Sequence, residues 1–402
     1  MIDVVGIGAD GWVSLPDAPR RLVTAAERLF GSARQLELLP ELPHQQRHAW
    51  PSPLRPALVG LLTGHEESPT VVLASGDPLL AGIGSTLIEL FGAEAVRVHP
   101  GVSSVALARA RMGWSAESVE VVRLVEVGAD AVRRHLSPGR RLVVLSRDAS
   151  TPAAVAEVLT EAGLDASRLT VLSDLGSASE SRTESRADAW SATVPDLHLV
   201  CVECVPSRAS PLWSAGGGLP DTAYEHDGQL TKRDVRASAL AHLMPVAGQL
   251  LWDVGAGAGS VGIEWSRSHP TCRAVAVERE PGRATRIAIN ASRLGVPELR
   301  VVVGAAPQAL RDLPTPDAVF VGGGASRETL ELAWEALSPG GRLVVHAVTH
   351  ETEMLLADQW RVHGGELTRI SVEHLEPIGS YSGWKPARAV VQWSAQKPWE
   401  PA

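Results

Sequence analysis

Short apolar runs alternate along the chain with segments whose apolar residues recur every three or four positions, the pattern of strands followed by amphipathic helices. In the first half, Ile2–Ile7, Thr70–Ala74, Ala95–His99, Val119–Leu124, Arg141–Leu145, Leu169–Leu172 and Leu197–Val202 read as strands. Helical periodicity covers Ala18–Phe30, Ser85–Phe91, Val105–Met112, Asp130–Leu136 and Pro152–Ala162. Pro206 to Pro220 is rich in Pro, Gly and Ser without periodicity and marks a boundary. Thr231 is then placed to cap a helix ending near Leu243, with Asp234 completing a variant capping box. Beyond it, strands are expected at Leu250–Val254, Ala274–Val277, Leu299–Val303, Ala318–Val321, Leu343–Val348, Leu367–His374 and Arg388–Trp393. Helices begin at Val261 and cover Gly282–Leu294, Arg327–Leu337 and Glu351–Val362. This rhythm predicts an α/β chain of two domains, 1–206 and 221–402, joined by a linker at 207–220.

The most informative stretch is Leu250 to Gly262, an apolar run that ends in Asp253 and continues as Gly255-Ala256-Gly257-Ala258-Gly259. It predicts a buried parallel strand, a tight turn, and a helix start whose free N–H groups face a ligand. Gly257 to Gly262 also satisfies the dinucleotide fingerprint, so a nicotinamide cofactor is the competing reading. Asp253 argues against it, because a carboxylate at the strand tip repels a pyrophosphate and attracts an ammonium or sulfonium. Asp-x-Gly-x-Gly-x-Gly is the pattern of S-adenosylmethionine (SAM) methyltransferases. Glu278, at the end of the next strand, stands where a carboxylate can grip both ribose hydroxyls.

Composition narrows the picture further. A formal charge of −9 argues against broad nucleic-acid or membrane-surface binding. No apolar run approaches membrane-spanning length, and the chain opens directly on a strand, so a cytoplasmic protein is expected. Three cysteines give no disulfide framework, and Cys201-Val202-Glu203-Cys204 lacks a second pair, so no metal is expected.

Several motifs carry a family resemblance. Gly6-Ile7-Gly8, Ser75-Gly76-Asp77-Pro78 with Gly82-Ile83-Gly84, and Pro100-Gly101-Val102-Ser103-Ser104 resemble the tetrapyrrole methylase family across most of residues 1–206. Thr231 to Ala237, Leu250 to Trp265, Val277-Glu278-Arg279, Gly304 to Leu310 and Val319 to Gly324 resemble the decarboxylating methyltransferase domain of the cobalamin pathway. The resemblance implies a two-lobed tetrapyrrole methylase fold followed by a seven-stranded Rossmann-like SAM methyltransferase fold. It implies one SAM site lined by Gly76, Asp77, Ile83 and Ser104. A second would contact Thr231, Asp253, Gly255, Ala256, Gly257, Ala258, Gly259, Glu278 and Ala306. Ala305 departs from relatives that carry an acidic residue there to hold the adenine amino group; a backbone group or water must serve instead.

The implied reaction methylates a ring-reduced tetrapyrrole, precorrin-6Y, at C-5 and C-15 and removes the C-12 acetate carboxyl as carbon dioxide. The substrate bears several carboxylates, for which Lys232, Arg233, Arg236 and Lys385 are the candidate partners. The catalytic residue for decarboxylation is not identified by any motif. A homo-oligomer is expected, since relatives of both halves self-associate. The alternative is a methyltransferase for another small molecule, with the first half a non-catalytic substrate-binding domain.

Overall fold

The structure is a computed structural model that describes residues 1–63, 68–125, 127–207 and 217–399. The chain divides into two compact units, Met1–Glu126 with Pro138–Ser210, and Val127–Ser137 with Pro211–Ala402. Most of the expected linker, 208–216, lies outside the described residues.

The first unit contains two five-stranded sheets. Strands β1 (Ile2–Ile7), β2 (Arg28–Gly31), β3 (Gln46–Ala49), β4 (Thr70–Ser75) and β5 (Val96–His99) form one of them, in the order β3-β2-β4-β1-β5. All of its pairings are parallel. β1 and β4 are mostly apolar because both faces are covered. Val5, Ile7 and Leu73 pack on one side, and Ile2, Val4 and Val72 on the other. The second sheet is β6 (Glu120–Arg123), β7 (Arg141–Leu145), β8 (Arg168–Ser173), β9 (Ser181–Arg186) and β10 (His198–Glu203), ordered β6-β7-β10-β8-β9. Only β6 and β7 run parallel there.

The helix expected over Ala18–Phe30 is in fact a helix at Asp17–Ala25 followed by strand β2. Leu29 and Phe30 are fully buried and pair with Val71 and Val72, a long-range contact that overrides the local period. Asp130–Leu136, expected as an α-helix, forms a 3-10 helix over Ala129–His135 and belongs to the second unit. There Arg134 pairs with Glu298 at 3.0 Å.

The second unit is a seven-stranded sheet with a separate hairpin. Its strands are β11 (Leu250–Val254), β12 (Arg273–Glu278), β13 (Arg300–Val303), β14 (Ala318–Val321), β15 (Arg342–Ala347), β16 (Glu366–Ile370), β17 (Glu373–Ile378), β18 (Tyr381–Pro386) and β19 (Val390–Gln396). The sheet order is β13-β12-β11-β14-β15-β19-β16, with β19 antiparallel to both neighbours. The single strand expected over Leu367–His374 is two strands, because β16 pairs with β19 while β17 turns away to pair with β18. The order reverses between β11 and β14, which opens a crevice at the carboxyl ends of those strands.

A buried polar network fixes the segment leading into this sheet. Arg236 is 0% exposed, and its Nε donates to Glu264 Oε1 at 2.7 Å. Its other nitrogens donate to Asp221 Oδ1 at 3.2 Å and to the carbonyls of Thr231 and Leu219. Glu264 also accepts from the Leu219 amide at 3.1 Å and the Tyr224 hydroxyl at 2.9 Å. Gly218 and Leu219, expected in the linker, are therefore packed structure. Thr231 is not the helix cap: the helix runs Arg233–Leu243 with Lys232 at the cap position and no side-chain cap bond. The Thr231 carbonyl is held by Arg236 instead.

Glu264→Ala leaves a fully buried guanidinium without its main partner, and is expected to cost the second unit about 3–5 kcal/mol. Urea unfolding of the full chain, followed through the second unit's transition, measures this. A loss below about 1 kcal/mol, the range of a surface pair, would contradict the assignment.

Candidate active sites

In the second unit the crevice is built by backbone meeting backbone. Gly255 follows β11 with φ +66°, and a Cβ there would lie 2.5 Å from the Gly323 carbonyl oxygen after β14. No side chain fits, so the two strand ends close directly on each other. Several N–H groups of the loop are spent within the protein. Gly255 and Ala256 donate to the Val277 carbonyl at 2.9 and 3.2 Å, and Gly259 donates to Ala256 at 2.8 Å. Gly257 donates to Glu278 Oε2 at 2.9 Å and Gly262 to Asp253 Oδ2 at 2.8 Å. A pyrophosphate needs such donors, so their use within the protein adds to the case that Asp253 makes against the nicotinamide reading.

Asp253 itself is 1% exposed, lying under the loop rather than at its surface. Burial pushes its carboxyl up to about 7, helped by the nearby Glu278 charge and opposed by the Gly262 hydrogen bond. Its Oδ1 is buried without a partner. Glu278 is also buried and accepts from Gly257 and, through Oε1, from Glu280 N at 3.0 Å. Each Glu278 oxygen keeps a second lone pair for a ligand hydroxyl. Ala306 packs partly buried against the core beside β12, and Ala258 is buried.

One residue was missed by sequence reading. Asn290 is 0% exposed and donates to the carbonyls of Ala258 and Glu225, both at 3.0 Å. It clamps the glycine loop to the segment before Thr231. An isolated Asn on an amphipathic helix gives no signal of this.

In the first unit three strand ends meet in the same manner. A Cβ on Gly6 would overlap the Gly76 carbonyl and lie 2.5 Å from the Gly101 nitrogen. Beside them is a cavity of about 460 Å³ lined on one side by Ser32, Gln35, Gly76, Ile83 and Ser104, and on the other by Leu145, Ser146, Leu172, Leu175, His198 and Leu199. Gly76, Ile83 and Ser104 thus face one space. Asp77 does not line it: its Oδ1 accepts from Leu79 N at 2.9 Å, the ordinary task of an Asp that opens a turn.

The basic candidates separate. Arg236 is structural, since its burial and four acceptors leave nothing for a substrate carboxylate. Lys232 is exposed, 3.6 Å from Asp221, and the Arg233 side chain is exposed on the same helix start. Lys385 stands on the β17–β18 hairpin paired with Glu376 at 2.8 Å. Lys232 and Arg233 share the helix start with the buried Arg236, and Lys385 stands on a separate two-stranded sheet. No group of three metal-ligating side chains occurs among the described residues. No helix among them is long and apolar enough to cross a membrane.

Two family models match the chain. Residues 1–189 match "Tetrapyrrole (Corrin/Porphyrin) Methylases" and residues 222–397 match "Precorrin methyltransferase domain". A Sinorhizobium protein named precorrin-6Y C(5,15)-methyltransferase [decarboxylating] is 44% identical over 98% of this chain and 96% of its own. A Mycobacterium tuberculosis protein of the same name is 44% identical over 99% of this chain and 100% of its own. The chain belongs to the precorrin-6Y C(5,15)-methyltransferase (decarboxylating) family. It is a methyltransferase of two α/β units. The crystal structure of the C-terminal domain of the Rhodobacter capsulatus family member is 45% identical, with a TM-score of 0.44, over 46% of this chain and 100% of that one. A Salmonella typhi relative, cobalt-precorrin-6B C(15)-methyltransferase (decarboxylating), is 33% identical over 42% of this chain and 89% of its own.

The buried Asp253 makes a pH prediction for this family member. Its folded value, about 7, lies above that of an unfolded Asp, so the native state binds the extra proton between them. Stability therefore falls as pH rises from about 4 to 7 and is level beyond. Asp253→Asn, which keeps an acceptor for Gly262, is expected to be less pH-sensitive across that window in urea unfolding. Parallel pH profiles for the two proteins would contradict it.

Proposed function

We propose that the chain converts precorrin-6Y to precorrin-8X, methylating C-5 and C-15 with SAM and decarboxylating the C-12 acetate. The observation that carries this reading is the pair of glycine-closed crevices, one per unit, in a chain that matches its relatives over nearly its whole length. Two similar transfers on one large substrate call for two methyl donors. The first unit serves C-5, and the second serves C-15 and the decarboxylation. The decarboxylating C(15) relative supports that division: the 174 matched residues are 89% of it, so it is too short to contain both units.

SAM supplies an electrophilic methyl group. Around it, the Glu278 lone pairs would accept hydrogen bonds from the ribose hydroxyls, and Asp253, buried under the loop, would hold the turn through the Gly262 amide. Thr231, held through its carbonyl by Arg236, and the loop from Gly255 to Gly259 shape the floor with Ala306. Gly76, Ile83 and Ser104 do so in the first unit, with Asp77 setting the turn. The macrocycle's meso carbons are nucleophilic enamine positions, so the protein's task is alignment and exclusion of water. The conjugated ring takes up the electrons left by carbon dioxide. Lys232 and Arg233 are free enough to meet substrate carboxylates, and Lys385 is a more distant candidate in sequence and fold.

The protein is read as a cytoplasmic homo-oligomer that binds neither nucleic acid nor membrane. Its net charge of −9 supports the last two points. The β17–β18 hairpin supports self-association: Leu375 faces Trp384 and Ile378 faces Tyr381, and all four are exposed, Tyr381 at 81%. Replacing Tyr381 and Trp384 together by Ser is expected to lower the mass found by sedimentation equilibrium; an unchanged mass would remove the hairpin from the interface.

Mass spectrometry after incubation with precorrin-6Y and SAM tests the reaction. The full chain is expected to add two methyl groups and lose one carbon dioxide. Gly255→Val is expected to stop at a singly methylated product that keeps its carboxyl. A substrate of unchanged mass, with SAM still bound, would contradict the reading.

A further inference from the structure

The wall of the first-unit cavity formed by the second sheet is almost wholly apolar, with Leu145, Leu172, Leu175 and Leu199. Two polar residues, His198 and Ser146, interrupt it. His198 Nε2 and Ser146 Oγ are both buried, and neither has a hydrogen-bond partner. They lie one residue beyond the paired Leu145 and Leu199, at the same end of adjacent antiparallel strands β7 and β10. Leaving such atoms unpaired is costly, and two on one wall of one cavity point to a ligand that completes them.

The tautomer of His198 is decided by its other nitrogen. Nδ1 lies 2.7 Å from the Pro195 carbonyl, which can only accept, so Nδ1 carries the proton and Nε2 presents a bare lone pair. Burial holds the ring below its usual range, against the Pro195 and Asp196 backbone and the Asp196 and Asp148 charges, so the neutral form is the resting one. The wall therefore offers one fixed acceptor beside one hydroxyl that can donate. Between leucines, this matches a flat heteroaromatic ring with an N–H donor next to a ring nitrogen.

We propose that His198 and Ser146 are the specificity-determining pair for the aminopurine of the methyl donor in the first unit. His198 Nε2 accepts from the exocyclic amino group, and the Ser146 hydroxyl donates to the neighbouring ring nitrogen. The assignment rests on the reading that this unit holds a SAM of its own. It gives the first unit a side-chain reader for the amino group, a task for which the second unit has only Ala305 at the position noted above.

Hydrogen–deuterium exchange of the full chain, titrated with S-adenosylhomocysteine, follows peptides of the two units separately. Protection of first-unit peptides is expected in the native protein. His198→Phe is expected to weaken it about 10- to 100-fold while second-unit protection is unchanged. The 6-oxo analogue, S-inosylhomocysteine, turns an acceptor toward the His198 lone pair and is expected to be rejected by the native first unit to a similar extent. His198→Gln supplies an amide that can turn either way, so it is expected to bind both nucleosides and lose the discrimination. That variant keeps the test open should His198→Phe not fold. First-unit protection with equal affinity in native protein and His198→Phe, or no preference between the two nucleosides, would overturn the inference and leave the two-site reading intact. Intact protection by S-adenosylhomocysteine with a raised KM for the tetrapyrrole would overturn it in favour of a substrate contact. No first-unit protection in the native protein would overturn the two-site reading itself.

Discussion

Both units depend on strand ends that approach each other with no side chain between them. Gly6, Gly76 and Gly101 close the first unit's parallel sheet at its carboxyl edge, and Gly255 and Gly323 close the second's. A single Cβ at Gly6 or Gly255 would push a strand end out of register with its neighbour. The same closeness uses some of the backbone donors, since Gly76 and Gly101 donate to the carbonyls of Ile7 and Gly76 at 2.8 and 3.0 Å. A ligand at the second unit's edge meets the acceptor oxygens of Glu278 and apolar surface. That suits a cofactor carrying hydroxyls and positive charge better than one carrying phosphates.

In the second unit this edge is covered by a segment that buries Leu219, Ala223 and Tyr224 in the core and is oriented by Arg236 and Asn290. A buried ion pair such as Arg236–Glu264 gains little net stability over an apolar packing of the same volume, because both charges lose water. Its value here is positional. One guanidinium gathers the carbonyls of Leu219 and Thr231 and the carboxylates of Asp221 and Glu264, which fixes the segment before the helix at several points. Asn290 fixes it at Glu225 and ties it to Ala258 of the loop. Stability and site geometry are thus the same set of bonds.

Much of this was legible in the chain itself. β1, β4, β11 and β14 are buried on both faces, so they read as apolar runs, and the glycines at their ends marked the crevices. Short-range pattern failed where long-range pairing decides. Arg28–Gly31 joined the end of a helical period until its partner β4 was known, and the polar edge strands β3 and β9 carry no apolar signal. Charge was the least legible property. Arg236 stood in a basic cluster that suggested a surface, yet its partner lies 28 residues on, on a neighbouring helix. Asp253 was identified at the right place for a reason that its burial revises. The polar atoms of Ser146 and His198 acquire meaning only when two strands bring them to one cavity.

The central claim is that this one chain holds two donor sites, each built on its own closed strand edge. Calorimetric titration of the full-length protein with S-adenosylhomocysteine counts them directly. Two molecules bound per chain is the result expected. One molecule per chain, unchanged when the protein is saturated, would mean that one of the two crevices is an architectural remnant of the fold, and that both methyl groups leave from a single site.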